Sequence, residues 1–181
     1  MSQLRTRQVI TGRTSDGSDV VISDGAVDWK ATDRLSGIDY GLMWASDEIP
    51  TVPSDGSRPV TTSFFAPPGG YTWRIVTFAP TYRAVPAGYE ARPDASVGSD
   101  STFDGLLAQF DDTDSGMHTS DTVDHVLVLS GEIWCLLGGG DEFCLKAGET
   151  CVQNGTSHSW TNKAAEPCTI VSFGVGAQRT E

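Results

Sequence analysis

The residues with the clearest chemical potential are the chain's three histidines, His118, His125 and His158, which all lie in one strand-rich window. His118, Ser120, Thr122 and Asp124 are spaced by two, so in an extended strand they line one face. Val126 and Val128 continue that face, and their apolar side chains mark it as the inside. This parity turns His118 and Asp124 inward. His125 falls on the opposite face unless a bulge intervenes. His158 follows the tight turn Asn154-Gly155-Thr156, with Trp160 at the same parity, and a return strand would bring it opposite His118 and Asp124. Two imidazoles and a carboxylate converging in this way form a ligand set for one divalent transition metal: Zn, Fe, Mn or Ni. The same three groups can instead act as acid and base with no metal. Arg74 sits on a strand among apolar residues. Facing inward it would clamp a substrate carboxylate; an outward salt bridge is the expected arrangement.

Short strands separated by turns must position these groups. Arg7–Thr11 and Asp19–Ser23 read as a hairpin around the turn-rich 14–18 segment. Ile38–Trp44 and Tyr71–Phe78 alternate as strands, the second preceded by the turn Pro67-Pro68-Gly69-Gly70. Residues 47–59 read as a loop. Residues 84–102, rich in Pro, Gly, Ser and Asp, read as a long excursion, either a lid or a solvated connector. Phe103–Phe110 reads as a short helix. From Val123 the pattern is regular: strands over 123–129, 132–137, 142–146, 150–153, 157–161 and 168–174, with a hairpin turn at Gly138–Asp141. Many short strands with regular turns predict an all-β sandwich or barrel.

The length of 181 residues suits one domain, 1–181. Lys and Arg number 12 against 24 Asp and Glu, a formal net charge of -12. Such a surface repels phosphate backbones and anionic lipids, so neither nucleic acid nor membrane is an expected partner. No apolar run approaches the ~20 residues of a membrane span. The first residues lack the apolar centre of a secretory signal, which makes a cytoplasmic location the expectation. Cys135, Cys144, Cys151 and Cys168 form no CxxC pair, so they read as small buried hydrophobes rather than a structural zinc site.

Residues 116–132 resemble the first motif of the cupin superfamily, His-x-His, three or four residues, Glu, six residues, Gly. With Gly131 as anchor, His118 takes the first His position, Ser120 the second, and Asp124 the Glu position. Residues 148–162 resemble the second motif: Gly155, His158 and Asn162 match, and Gln153 replaces its Pro. The resemblance covers residues 116–174, with motif 1 at 118–131 and motif 2 at 148–162, and leaves residues 1–110 as an N-terminal extension. It implies a cupin-type jelly-roll β-barrel, or double-stranded β-helix, with added N-terminal strands and a homodimer. A metal-binding cupin typically offers three His and one Glu; here Ser120 occupies one slot, and a hydroxyl is a poor ligand.

The expectation that follows is an enzyme acting on a small organic molecule in the barrel. Its lead form is a metal-dependent lyase, a decarboxylase or dehydratase, with His118, Asp124 and His158 holding the ion. The alternatives are an iron-dependent oxygenase, a metal-free acid/base isomerase or cyclase, and a small-molecule-binding cupin without turnover.

Overall fold

The structure is a computed structural model that describes residues 6–31, 37–80, 95–97, 104–110 and 116–180. Its strands are β1 (Arg7–Arg13), β2 (Asp19–Ala26), β3 (Trp29–Ala31), β4 (Ile38–Ser46), β5 (Tyr71–Phe78), β6 (Ala95–Val97), β7 (Thr122–Ser130), β8 (Glu132–Leu137), β9 (Glu142–Lys146), β10 (Thr150–Asn154), β11 (His158–Thr161) and β12 (Cys168–Gly176). A single helical turn, α1 (Asp104–Leu107), stands where a short helix is expected. The 84–102 excursion lies outside the described residues except for β6.

Two sheets form the barrel. The larger runs β10-β7-β12-β5-β4-β3-β6 and the smaller β11-β8-β9, while β1 and β2 pair as a separate hairpin. All pairings are antiparallel except β3 with β6. From β7 onward the chain passes back and forth: β7 lies in the large sheet, β8 and β9 in the small, β10 in the large, β11 in the small and β12 in the large. This alternation is the jelly-roll winding of a double-stranded β-helix.

Alternation along the strands fills the space between the sheets. Val126 and Val128 of β7, Ile170 of β12, Tyr40 of β4 and Phe78 of β5 meet Ile133 of β8 and Leu145 of β9. Ile133 is fully enclosed, and burying such a side chain contributes about 1.5–3 kcal/mol. The large sheet is also partly covered on its outer face, where Val27 and Trp29 pack with Met43, Ile75 and Val171. The rest of that face exposes Trp73, Leu127, Leu129, Val152 and Phe173.

The turn from β7 to β8 carries the chain from one sheet to the other at Gly131, with φ +75°. A Cβ there would lie 2.5 Å from the Pro167 carbonyl oxygen. Both the left-handed backbone and the close approach demand glycine. Asn162 closes a corner at the same end, before β12. Its Nδ2 donates to the carbonyls of Ala79 (2.9 Å) and Glu166 (2.8 Å), and its Oδ1 accepts from the Ala164 N–H (2.9 Å). The motif glycine and asparagine are thus framework residues.

Candidate active site

The inward faces of β4, β5, β12, β7 and β10 pair into rows across the large sheet. Tyr40, Val76, Ile170 and Val128 form an apolar row; Leu42, Arg74, Ser172, Val126 and Cys151 form the next. Thr72, Gly174, Asp124 and Gln153 form a polar third. The smaller sheet contributes His158 and Trp160, and the lining of the cavity between the sheets is completed by Phe64, Phe65, Phe110 and His118, among others. The cavity has a volume of about 120 Å³.

His118 and His158 are backbone partners. Each N–H donates to the other's carbonyl at 2.9 Å, and their ring centroids lie 4.4 Å apart at 49°. Phe110 lies 5.4 Å from the His118 ring, and Trp160 meets the His158 ring edge-on at 5.9 Å. Each Nδ1 faces a carbonyl at 2.9 Å, Gly116 for His118 and Thr156 for His158. A carbonyl can only accept, so Nδ1 carries the proton in both rings and Nε2 is the basic nitrogen when the ring is neutral. The Nε2 of His158 makes no hydrogen bond among the described residues. Burial lowers the His158 pKa below its ordinary 6.5, opposed in part by the Thr156 carbonyl and the negative charge of Asp124.

Asp124 reaches the same cavity from the other sheet. Its Oδ2 accepts from the Thr122 hydroxyl at 2.7 Å and the Ser120 hydroxyl at 3.3 Å, and those two hydroxyls lie 2.7 Å apart. Oδ1 overlies Gly174, where a Cβ would come within 2.4 Å of it. His118 and Asp124 both face the cavity, as their spacing by two predicts, but from separate segments. Strand β7 begins only at Thr122, and His118 bridges to His158 and Phe110 on the side of the small sheet. The chain crosses between sheets within residues 118–122, so the parity survives while the strand does not.

That crossing bears on metal binding. Nδ1 protons held by carbonyls are how ligating histidines are oriented, so two donors fit. The third is not brought to them: among the described residues no three His, Cys, Asp or Glu side chains gather to hold a metal ion. A catalytic site of this kind uses three protein ligands. The expected set of His118, Asp124 and His158 is not assembled among the described residues.

Arg74 is also corrected. It points inward, is only 5% exposed, and makes no salt bridge among the described residues. Its Nε donates to the Tyr40 hydroxyl at 3.2 Å, and its guanidinium carbon lies 4.1 Å from the Phe64 ring centre. Trp73 is 42% exposed on the outer face. His125 is exposed there too, as parity predicts. All four cysteines are free, with Cys135 and Cys168 buried and Cys144 and Cys151 partly so. No helix among the described residues is long and apolar enough to cross a membrane.

No family model matches the sequence. Two curated proteins of Diaporthe leptostromiformis, phomopsin biosynthesis cluster proteins C' and D, are each 41% identical over 51 residues, or 28% of this chain. The match spans 27% of the length of each. Among solved structures, the Schizosaccharomyces pombe Cnp3 cupin domain is similar with a TM-score of 0.47 and 8% identity, covering 94% of this chain and 87% of that one. A sugar phosphate isomerase of the cupin superfamily from Silicibacter pomeroyi has a TM-score of 0.41 and 13% identity over 81% of this chain and 62% of its own. The Cupin_2 domain of an XRE family transcriptional regulator from Enterobacter cloacae has a TM-score of 0.36 and 17% identity over 60% and 83%. On the strand order of its own sheets, the chain is a nearly all-β jelly-roll barrel with an N-terminal strand extension.

Proposed function

We propose that the barrel is the site of a metal-free proton transfer on a small organic molecule, of the kind that underlies isomerisation or cyclisation. The observation that carries this reading is the pair of adjacent imidazoles in a largely apolar cavity, with Asp124 on the facing sheet. Lowered by burial, the His158 pKa keeps the ring neutral and basic near pH 7. Its Nε2 takes a proton from a carbon beside a carbonyl, and the electron pair moves to the carbonyl oxygen. The imidazolium then returns the proton at the other end of the enolate, so no electrons are gained or lost. Asp124 stabilises the transient positive charge on His158, and the His118 ring is the second proton carrier. The names of the two fungal relatives accord with a role in small-molecule biosynthesis.

The test is solvent exchange. The protein is chelated exhaustively and incubated in D2O with a panel of 2-oxo acids, 3-oxo acids and neutral ketones, and C–H signals are followed by proton NMR. The expected result is deuterium incorporation into at least one panel member by the wild type and none by H158A. No exchange across the panel overturns the reading. Exchange that stops on chelation and returns with a divalent ion overturns it in favour of the metal-dependent lyase expected from the resemblance.

A further inference from the structure

We infer that Arg74 is the anchor for a carboxylate, and that the barrel's ligand is a small apolar monocarboxylic acid. The inference rests on the proton-transfer reading only for calling that acid a substrate. A buried guanidinium with no acidic partner is costly unless something compensates its charge. Arg74 has five N–H donors, and one is used, on the Tyr40 hydroxyl. The terminal nitrogens have no acceptor among the described residues, yet they are not among the side-chain atoms sealed away by protein. They therefore open onto cavity space. Phe64, Phe65 and Tyr40 hold the guanidinium from its sides, at 4.1, 5.8 and 5.9 Å from the ring centres. This support fixes the fork without neutralising it.

A second observation points the same way. Arg74, Tyr40, Phe64 and Phe65 line both the inner 120 Å³ cavity and an outer one of about 890 Å³. The outer cavity is lined by Lys30, Arg58 and Arg74 with Asp28 as the lone acid among its described residues. In a chain with twice as many acids as bases, that approach is locally positive and draws anions toward the neck where Arg74 sits. Beyond the neck, Val76, Phe78, Ile170 and Leu106 offer an apolar chamber. An engineered apolar cavity of about 150 Å³ accepts benzene, so this one suits a hydrocarbon group of similar or slightly smaller size. A planar guanidinium receives a carboxylate through paired N–H bonds. The ligand is thus oriented with its carboxylate at Arg74 and its carbon skeleton in the chamber that His118 and His158 line.

Calorimetric titration with benzoate, benzamide and inorganic phosphate tests the assignment on the wild type, where no variant can misfold. Benzoate is expected to bind with a dissociation constant below about 1 mM, and benzamide at least about tenfold more weakly. Phosphate should not compete with benzoate. The R74M variant should lose the preference for benzoate, and R74K should recover part of it. Equal binding of benzoate and benzamide, binding of neither, or competition by phosphate overturns the assignment. If benzoate binds through Arg74 but no carbonyl compound exchanges, the anchor stands and the proton-transfer reading falls. If neutral ketones exchange while benzoate and benzamide are indistinguishable, the anchor falls and the reading stands.

Discussion

Gly174 offers a sharp test of how Asp124 is held. A methyl group there would lie 2.4 Å from Asp124 Oδ1 and 3.2 Å from Thr72 Oγ1. Carbon–oxygen contacts relax at about 3.3 Å, so the carboxylate must move by about 0.9 Å. That displacement carries Oδ2 beyond hydrogen-bond reach of the Thr122 hydroxyl, now at 2.7 Å. A hydrogen bond to a charged group contributes about 1.5–3 kcal/mol. Alanine is also better than glycine in a strand by about 0.5–1 kcal/mol, which leaves a net loss for G174A of about 0.5–2.5 kcal/mol. For a chain of this length the melting temperature falls by roughly 1–10 °C. The decisive arm is the double-mutant cycle. In a D124A background the methyl group meets no carboxylate, so G174A should become neutral or stabilising by about 0.5 kcal/mol. Chemical denaturation of the four proteins reads the cycle. If G174A costs the same with and without Asp124, the carboxylate does not occupy the space over Gly174, and the account of the polar row is wrong.

Other expectations follow from the same geometry. Because the His158 pKa is lowered in the folded chain, the unfolded chain takes up a proton that the folded one refuses. Stability is therefore complete above about pH 6.5 and declines as pH falls from there toward the lower folded value; thermal melts from pH 7.5 to 5 should fall more steeply for the wild type than for H158Q, and parallel curves would contradict this. Asn162→Ala removes both donors from the Ala79 and Glu166 carbonyls and the acceptor from Ala164. It should cost about 2–4 kcal/mol in denaturant unfolding, and a loss under 1 kcal/mol would show that water replaces the amide. Burial pushes the Cys135 and Cys168 thiols up to about 12. Iodoacetamide at about pH 8 should leave both unmodified in the native protein by peptide mass mapping, and labelling of either before unfolding would contradict their enclosure.

Much of the barrel is legible because its strands alternate and its turns carry glycine. The expected strands at 71–78, 132–137 and 142–146 coincide with β5, β8 and β9. Strands β3 and β6 escape such reading because three residues carry no period. The break between His118 and β7 escapes it for a different reason. Side chains keep alternating as the chain crosses from one sheet to the other, so spacing by two reports facing direction and not strand membership. Arg74 is misjudged because β5 is apolar on both faces. Trp73 and Ile75 point outward while Val76 and Phe78 point inward, as in any sheet partly covered on both sides. Polarity then does not say which face is the interior. The outward row of Trp73, Phe173 and Val152 is what makes the inward guanidinium invisible in the sequence.

The reciprocal backbone bonds between His118 and His158 have a kinetic corollary. The separation of the two Cα atoms is set by an isolated antiparallel bridge between the backbones, so rotation about χ can retilt the rings while their Cα atoms stay in place. Respacing the pair requires opening that bridge, a motion that amide exchange detects and far slower than rotamer hopping. Whatever chemistry the pair performs should therefore survive heating until the barrel itself opens, and then vanish with it in one transition. Over generations of sequence drift the same constraint holds: either imidazole can be replaced, but the spacing between the two positions cannot be tuned.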